Sequence, residues 1–221
     1  MKKRDFRLVS VVVLVLAFAS AGFAQMRVGK LGVGLAGTGY YFLQSNLKTP
    51  DPSGGGAVSL SYSVAKQVSL RSLLGVGYLA GTQPSSLSYP SGRSVETNIY
   101  HWNLSVAYDF LPEGRFNPFI YVGGGLLWFD PRDKNGAQLS SSGVPRFDTN
   151  FLGGVGFDYF FDEFWAMSLS AEGVGGFNSW LDGTKGSTND SYGRVSVGIR
   201  YHFFDQNFVK KMIDTFEERG K

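Results

Sequence analysis

The stretch Tyr100-His101-Trp102-Asn103-Leu104-Ser105-Val106-Ala107-Tyr108-Asp109-Phe110 alternates without a break. Tyr100, Trp102, Leu104, Val106, Tyr108 and Phe110 share one parity; His101, Asn103, Ser105, Ala107 and Asp109 share the other. Successive side chains of an extended chain point to opposite faces, so this run predicts a strand. One flank is aliphatic with aromatic ends, and the other is small or polar.

Working outward, the same pattern recurs on both sides. Upstream, Leu31, Val33, Leu35, Tyr41 and Leu43 oppose Lys30, Gly32, Gly34, Ala36 and Thr38. Val58, Leu60, Tyr62 and Val64 oppose Ala57, Ser59, Ser61 and Ser63, and Val68, Leu70, Leu74, Val76 and Tyr78 oppose Ser69, Arg71, Gly75 and Gly77. Downstream, Phe151, Val155, Phe157, Tyr159 and Phe161 oppose Asn150, Gly154, Gly156 and Asp158. Trp165, Met167, Leu169 and Ala171 oppose Ala166, Ser168, Ser170 and Glu172. Val195, Val197, Ile199, Tyr201 and Phe203 oppose Arg194, Ser196, Gly198, Arg200 and His202. Phe119–Phe129 is apolar on both parities, which leaves its phase open. The connections alternate in length. Short ones fall at Ala65–Gln67, Leu111–Asn117 and Phe161–Glu163. Long Gly/Pro/Ser-rich ones fall at Gln44–Gly55, Thr82–Glu96, Pro131–Arg146 and Asn178–Asn189.

Eight strands with short turns at one end and long loops at the other predict an all-β chain. The architecture is an eight-stranded antiparallel up-and-down transmembrane β-barrel. Closure removes every sheet edge and pairs every backbone group. Tyr40, Tyr41, Tyr62, Tyr78, Tyr100, Tyr108, Phe110, Trp165, Tyr201 and Phe203 fall near strand ends, as interfacial girdles do. The 30 glycines among 221 residues, about twice the usual share, suit a tightly curved small barrel. An even strand count puts both barrel ends beside the short turns, on the periplasmic side of an outer membrane, with the four long loops outward. The competing architecture is a soluble exported barrel of lipocalin type, with the apolar flank turned inward around a ligand. Inner-face positions that are mostly Gly, Ala and Ser favour the membrane.

Composition and charge agree with export. There is no cysteine, which excludes disulfides, a thiol nucleophile and thiolate metal sites. Residues 1–24 read as a cleaved signal peptide: a basic Met1–Arg7, an apolar Leu8–Ala19, and small residues at Gly22 and Ala24. Four bases against one acid within the first seven residues account for the formal +3; the remaining 17 bases and 17 acids cancel. The basicity therefore belongs to the leader, and no nucleic-acid partner is implied. The barrel is expected over 25–203.

Two motifs carry a family resemblance. Ser196-x-Gly198-x-x-Tyr201-x-Phe203 is similar to the polar-x-Gly-x-x-aromatic-x-aromatic signal of final strands in bacterial outer-membrane barrels. Asn117-Pro118-Phe119-Ile120-Tyr121-Val122-Gly123-Gly124-Gly125 resembles the fifth strand of OmpA-type barrels. The resemblance covers about Arg27–Phe203. It implies insertion by the barrel-assembly machinery, which reads Ser196, Gly198, Tyr201 and Phe203 as its signal, with delivery by periplasmic chaperones. It further implies contact with outer-membrane lipids and lipopolysaccharide, as a monomer. Residues 204–221 depart from the pattern. Phe204, Phe208, Met212, Ile213 and Phe216 recur near helical spacing, so a short periplasmic amphipathic tail is expected. This tail is too short for the peptidoglycan-binding domain of many OmpA-type proteins.

Chemistry in the sequence is sparse. Gly32-x-Gly34-x-x-Gly37 spells a dinucleotide fingerprint but runs into Thr38-Gly39-Tyr40-Tyr41-Phe42, a strand where a helix N-terminus is needed. His101 and His202 lie on different strands. A lipid-modifying enzyme, such as the lipid A deacylases with their His/Ser/Glu set, would need Glu172 brought beside His101 and Ser105. No cofactor, catalytic residue or metal ligand is assigned; Asp130–Gly136 has too few regularly spaced oxygens for calcium. Charges expected inside the barrel are Lys30, Arg71, Asp109, Asp158, Glu172, Arg194 and Arg200, with Glu172 paired to Arg194 or Arg200. Mixed signs in so narrow a lumen predict an ion-pair plug, with a narrow porin-like channel as the alternative. Trp180, Tyr89 and Leu87 are candidates for contact with a surface partner. The expected role is structural or interactive at the cell surface.

Overall fold

The computed structural model of the chain describes residues 29–84, 92–133, 135–139, 146–183, 185 and 188–204. The leader, Leu87, Tyr89 and the tail beyond Phe204 lie outside the described residues. The described residues form nine strands: β1 (Leu31–Gln44), β2 (Thr49–Asp51), β3 (Ser53–Ala65), β4 (Val68–Thr82), β5 (Ser94–Asp109), β6 (Phe116–Asp133), β7 (Phe147–Phe160), β8 (Trp165–Gly176) and β9 (Ser191–Phe204). Eight of them close an antiparallel barrel in the order β3-β1-β9-β8-β7-β6-β5-β4, and β4 pairs back onto β3.

Two departures from the sequence reading share a cause. β2 was expected to be loop, and β5 and β6 extend beyond the alternating cores, to Ser94 and Asp133. Where these strands outrun the apolar band, their outer row turns polar (Glu96, Asn98, Asp130, Arg132), so the pattern fades while the hydrogen-bond ladder continues. β4 likewise outruns β3, and β2 pairs Thr49 with Thr82 and Asp51 with Ala80 along the overhang. An overhang left bare would expose unpaired N–H and C=O groups.

The orientation of the sheet is decided by exposure. Leu35 (71%) and Val122 (68%) face outward, whereas Ser69 (4%) and Arg194 (2%) are enclosed. Leu104, Val106, Val155, Val197 and Ile199 join the outer surface. So contiguous an apolar exterior is incompatible with water, and the lipocalin-type inversion is excluded. The open phase of β6 also resolves: Ile120, Val122 and Trp128 point outward, and Phe119, Tyr121, Leu127 and Phe129 point in.

Aromatics ring both ends. At the short-turn end Trp165 and Phe203 pack on Tyr201, and Tyr108 packs on Phe110 (ring centroids 5.2 Å apart). At the long-loop end Trp128 meets Phe147, also at 5.2 Å, near Tyr100. Tyr100 and Phe110 are ten residues apart, about 33 Å of extended chain at ~3.3 Å per residue, or about 25 Å at a tilt of ~40°. That matches the apolar height of an outer-membrane barrel. Tyr40 is a correction: it was assigned to the girdle, but it is 2% exposed and points into the lumen. Tyr40 shares parity with Thr38, and its ring lies over Gly77, where a Cβ would come within 2.5 Å. Gly75 makes the same room for His101, again at 2.5 Å.

The short turns are tightly tied. Asp162 Oδ1 accepts from the amides of Phe164 (2.8 Å) and Trp165 (2.7 Å), and Lys66 pairs with Glu113 across two neighbouring turns at 2.7 Å. β1 runs unbroken through Gly32, Gly34 and Gly37, so no helix N-terminus follows those glycines.

Candidate functional site

The lumen holds the polar side chains that parity places inside, and they gather in two layers. The layer nearer the long loops centres on Arg194. Its strand neighbour in register is Glu172, and the two side chains form an ion pair, 1% and 4% exposed. Arg194 Nη1 also lies 2.9 Å from the ring nitrogens of His101 on the opposite wall and 3.3 Å from Asn103 Oδ1. A guanidinium has only donors to offer, so the imidazole presents it a lone pair. Tyr40 Oη and His101 Nε2 are 2.9 Å apart, Tyr121 Oη donates to Glu172 Oε2 at 2.7 Å, and Asn103 Nδ2 donates to Asn150 Oδ1 at 2.8 Å. This layer joins β1, β5, β6, β7, β8 and β9.

The layer nearer the short turns balances two guanidiniums with two carboxylates. Arg71 Nη2 bridges Asp109 (3.0 Å) and Asp158 (3.1 Å), and Arg200 Nη1 donates to Asp158 at 3.1 Å. Ser69 Oγ and Asn117 Nδ2 each donate to Asp109 at 2.8 Å. The Arg71 guanidinium lies 3.6 Å from the centroid of the Phe119 ring.

Between the layers is a cavity of about 70 Å³, lined by Ser59, Ser105, Ser168, Ser170 and Ser196 together with Arg71, Arg194 and Arg200. It has room for about five waters at ~10–15 Å³ each. Beyond the Arg194 layer the lumen becomes apolar, filled by Phe42, Leu79, Ile99, Leu127, Phe129, Val174 and Leu181.

Six of the seven charges expected inside therefore lie in the two layers. Lys30 does not; it sits at the short-turn rim, with Nζ 3.4 Å from Glu163 O. Of the two pairings left open, Glu172 takes Arg194. Arg200 is opposite Ala166, six residues along β8, and turns to Asp158. His101 and Glu172 meet only through Arg194. Ser105 Oγ donates to Arg71 O at 3.4 Å, and Glu172 is held by Arg194 and Tyr121. In Asp130–Gly136, Asp133 Oδ1 accepts from the Asn135 and Ala137 amides, while Asp130 pairs with Arg132. Ser196 and Gly198 face inward on β9, and Tyr201 and Phe203 outward. Trp180, expected to be exposed, packs partly buried against the apolar plug.

Parity already places Asn103 and Asn150 on the inward face, whereas Tyr40, Tyr121 and Asn117 are members of these layers that sequence reasoning missed. The signal for Tyr40 was present, since of the neighbours Tyr40 and Tyr41 only one can face outward. Tyr121 becomes legible once Asn117 is taken to set the inward phase of β6.

Residues 8–203 match the sequence profile described as outer membrane protein beta-barrel domain. No curated protein sequence matches the chain. Among solved structures, the chain is similar to the outer membrane protein OprG from Pseudomonas aeruginosa, with TM-score 0.55 and 14% identity over 83% of this chain and 100% of that one. It is similar to Neisserial surface protein A, with TM-score 0.53 and 14% identity over 78% and 97% of the two chains. It is also similar to Ail, the attachment invasion locus protein of Yersinia pestis, solved with the heparin analogue sucrose octasulfate. There the TM-score is 0.51 and the identity 12%, over 80% and 99% of the chains. At these identities the likeness is one of fold.

Proposed function

The chain belongs to the outer membrane protein beta-barrel family, and from that premise we propose that it is a closed-lumen scaffold presenting four long loops at the bacterial surface. The observation that carries this reading is the pair of ion layers across the lumen. Permeation past Arg194 or Arg71 requires breaking a buried ion pair, and stranding one partner costs about 3–5 kcal/mol. Cell-surface contact through the loops is the corresponding activity, and a neighbour named for attachment and invasion supports it. No catalytic step is assigned.

The leader 1–24 is removed on export, both barrel ends face the periplasm, and the long loops face out. Periplasmic chaperones deliver the chain to the barrel-assembly machinery, which reads Ser196, Gly198, Tyr201 and Phe203. The monomer then sits among outer-membrane lipids and lipopolysaccharide. Planar-bilayer recording on the refolded full chain tests the closed lumen. Silence in the native protein, with conductance steps on Glu172→Gln, supports a plug. Reproducible steps in the native protein overturn it in favour of a narrow channel.

A further inference from the structure

The loop between β8 and β9 does not stand away from the barrel but turns down into it. Gly183 N donates to Trp180 O (2.9 Å), closing a tight turn whose Leu181 is 3% exposed within the apolar plug. Three neighbouring segments hold this turn by polar contacts. Thr97 Oγ1 on β5 donates to Leu181 O (2.7 Å), Gln83 Nε2 of the second long loop to Asp182 O (3.1 Å), and Asn46 N of the first to Asp182 Oδ2 (2.7 Å). The third long loop contributes packing, with Leu139 and Pro131 against Gly183.

The turn is latched from below by Asp190, the residue before β9. Asp190 is 2% exposed; its Oδ2 accepts from Leu181 N at 2.8 Å, and its Oδ1 is buried without a hydrogen-bond partner. Among the described residues the charged groups facing it are carboxylates: Asp182, fully buried in the turn itself, and Asp148 on β7, which accepts from the Phe177 and Asn178 amides. Arg194, four residues along β9, is committed to Glu172. Burial and the charge of Asp182 push the Asp190 carboxyl up to about 7, against the opposing pull of the Leu181 and Asp182 amides.

We propose that Asn178–Gly183 is a proton-latched lid on the long-loop mouth, seated while the Asp190 carboxyl holds a proton and released when that carboxyl is charged beside Asp182. Lifting the lid withdraws Leu181 and uncovers the apolar pit behind it. The sign follows from linkage. In the open lid an exposed Asp190 titrates near the ordinary carboxylate value, about 3.9, whereas in the seated lid it titrates near 7. Opening therefore releases a proton between those values, and its equilibrium constant rises tenfold per pH unit from about 4 to about 7 and is flat above. This holds whichever side of the membrane the long loops face.

The chain has no cysteine, so one nitroxide at Ser179→Cys reports on the lid in the refolded full-length protein. The mobile fraction should rise steeply between pH 5 and 7 and level off by pH 8, while a label at Asn135→Cys in the third loop stays unchanged. Asp190→Asn should stay immobile throughout, because the amide still accepts from Leu181 N and carries no charge. Asp182→Asn, which removes the repelling neighbour, should shift the transition to lower pH. A spectrum of the native chain that does not change with pH, or an undiminished transition in either variant, overturns the proposal. Should Asp190→Asn fail to give a compact species on an unboiled gel, the Asp182→Asn shift alone decides.

Discussion

Glu172→Gln is the substitution that tests the interior most directly. Arg194 and Glu172 are both enclosed, and Arg194 is surrounded by His101, Asn103 and Tyr40. Removing the carboxylate charge strands a guanidinium that cannot shed its proton, at a cost of about 3–5 kcal/mol. About 1 kcal/mol of that reflects the Tyr121 hydrogen bond falling from a charged to a neutral acceptor. Arg194→Met should cost less, because a stranded carboxyl can be neutralised by a proton. The double variant leaves no buried charge and fills much of the guanidinium's volume, so it should be more stable than Glu172→Gln alone. The assay is urea unfolding of protein refolded into lipid vesicles, followed by the loss of the compact band on unboiled gels. A coupling energy of at least 2 kcal/mol between the two sites is expected. A Glu172→Gln penalty below 1 kcal/mol, or strictly additive single variants, would refute the plug.

The other predictions concern the wall. Spin labels at Leu104 and Val197 should report acyl chains, and labels at Ser105 and Ser196 a water-protected interior; the reverse pattern would invert the sheet. Gly75→Val should abolish the compact species, since its Cβ meets the His101 ring at 2.5 Å, whereas Gly37→Ala, with open space around it, should leave the unfolding midpoint unchanged. Asp162→Ala removes the carboxylate oxygen that accepts from two backbone amides in the β7–β8 turn and should cost about 1–2 kcal/mol by the same unfolding assay.

Most of the barrel was legible because its signal is local. Alternation in Tyr100–Phe110 assigns every side chain of that stretch to a face, and the structure keeps all of those assignments. The signal weakened where its physical cause was absent. Phe119–Phe129 faces lipid on one side and the apolar plug on the other, so neither parity stands out. Glu96, Asn98, Asp130 and Arg132 extend β5 and β6 beyond the apolar band, where an outward residue need not be apolar. Trp180 in a Gly/Ser-rich loop resembles an exposed contact residue, and only its seat against the plug shows otherwise.

The amino-acid sequence by itself determined which side chains of each alternating strand share a face, because a strand's two faces follow from a period of two. It also determined that charges of both signs would be enclosed together. Tertiary structure alone decided which of them meet. Closing eight staggered strands brings Arg194 across to His101 and sets Arg200 against Asp158, and it folds the Leu181 turn into the mouth among the three other long loops. Those partners are set by the stagger and curvature of the closed sheet, properties of the whole barrel that no single strand encodes.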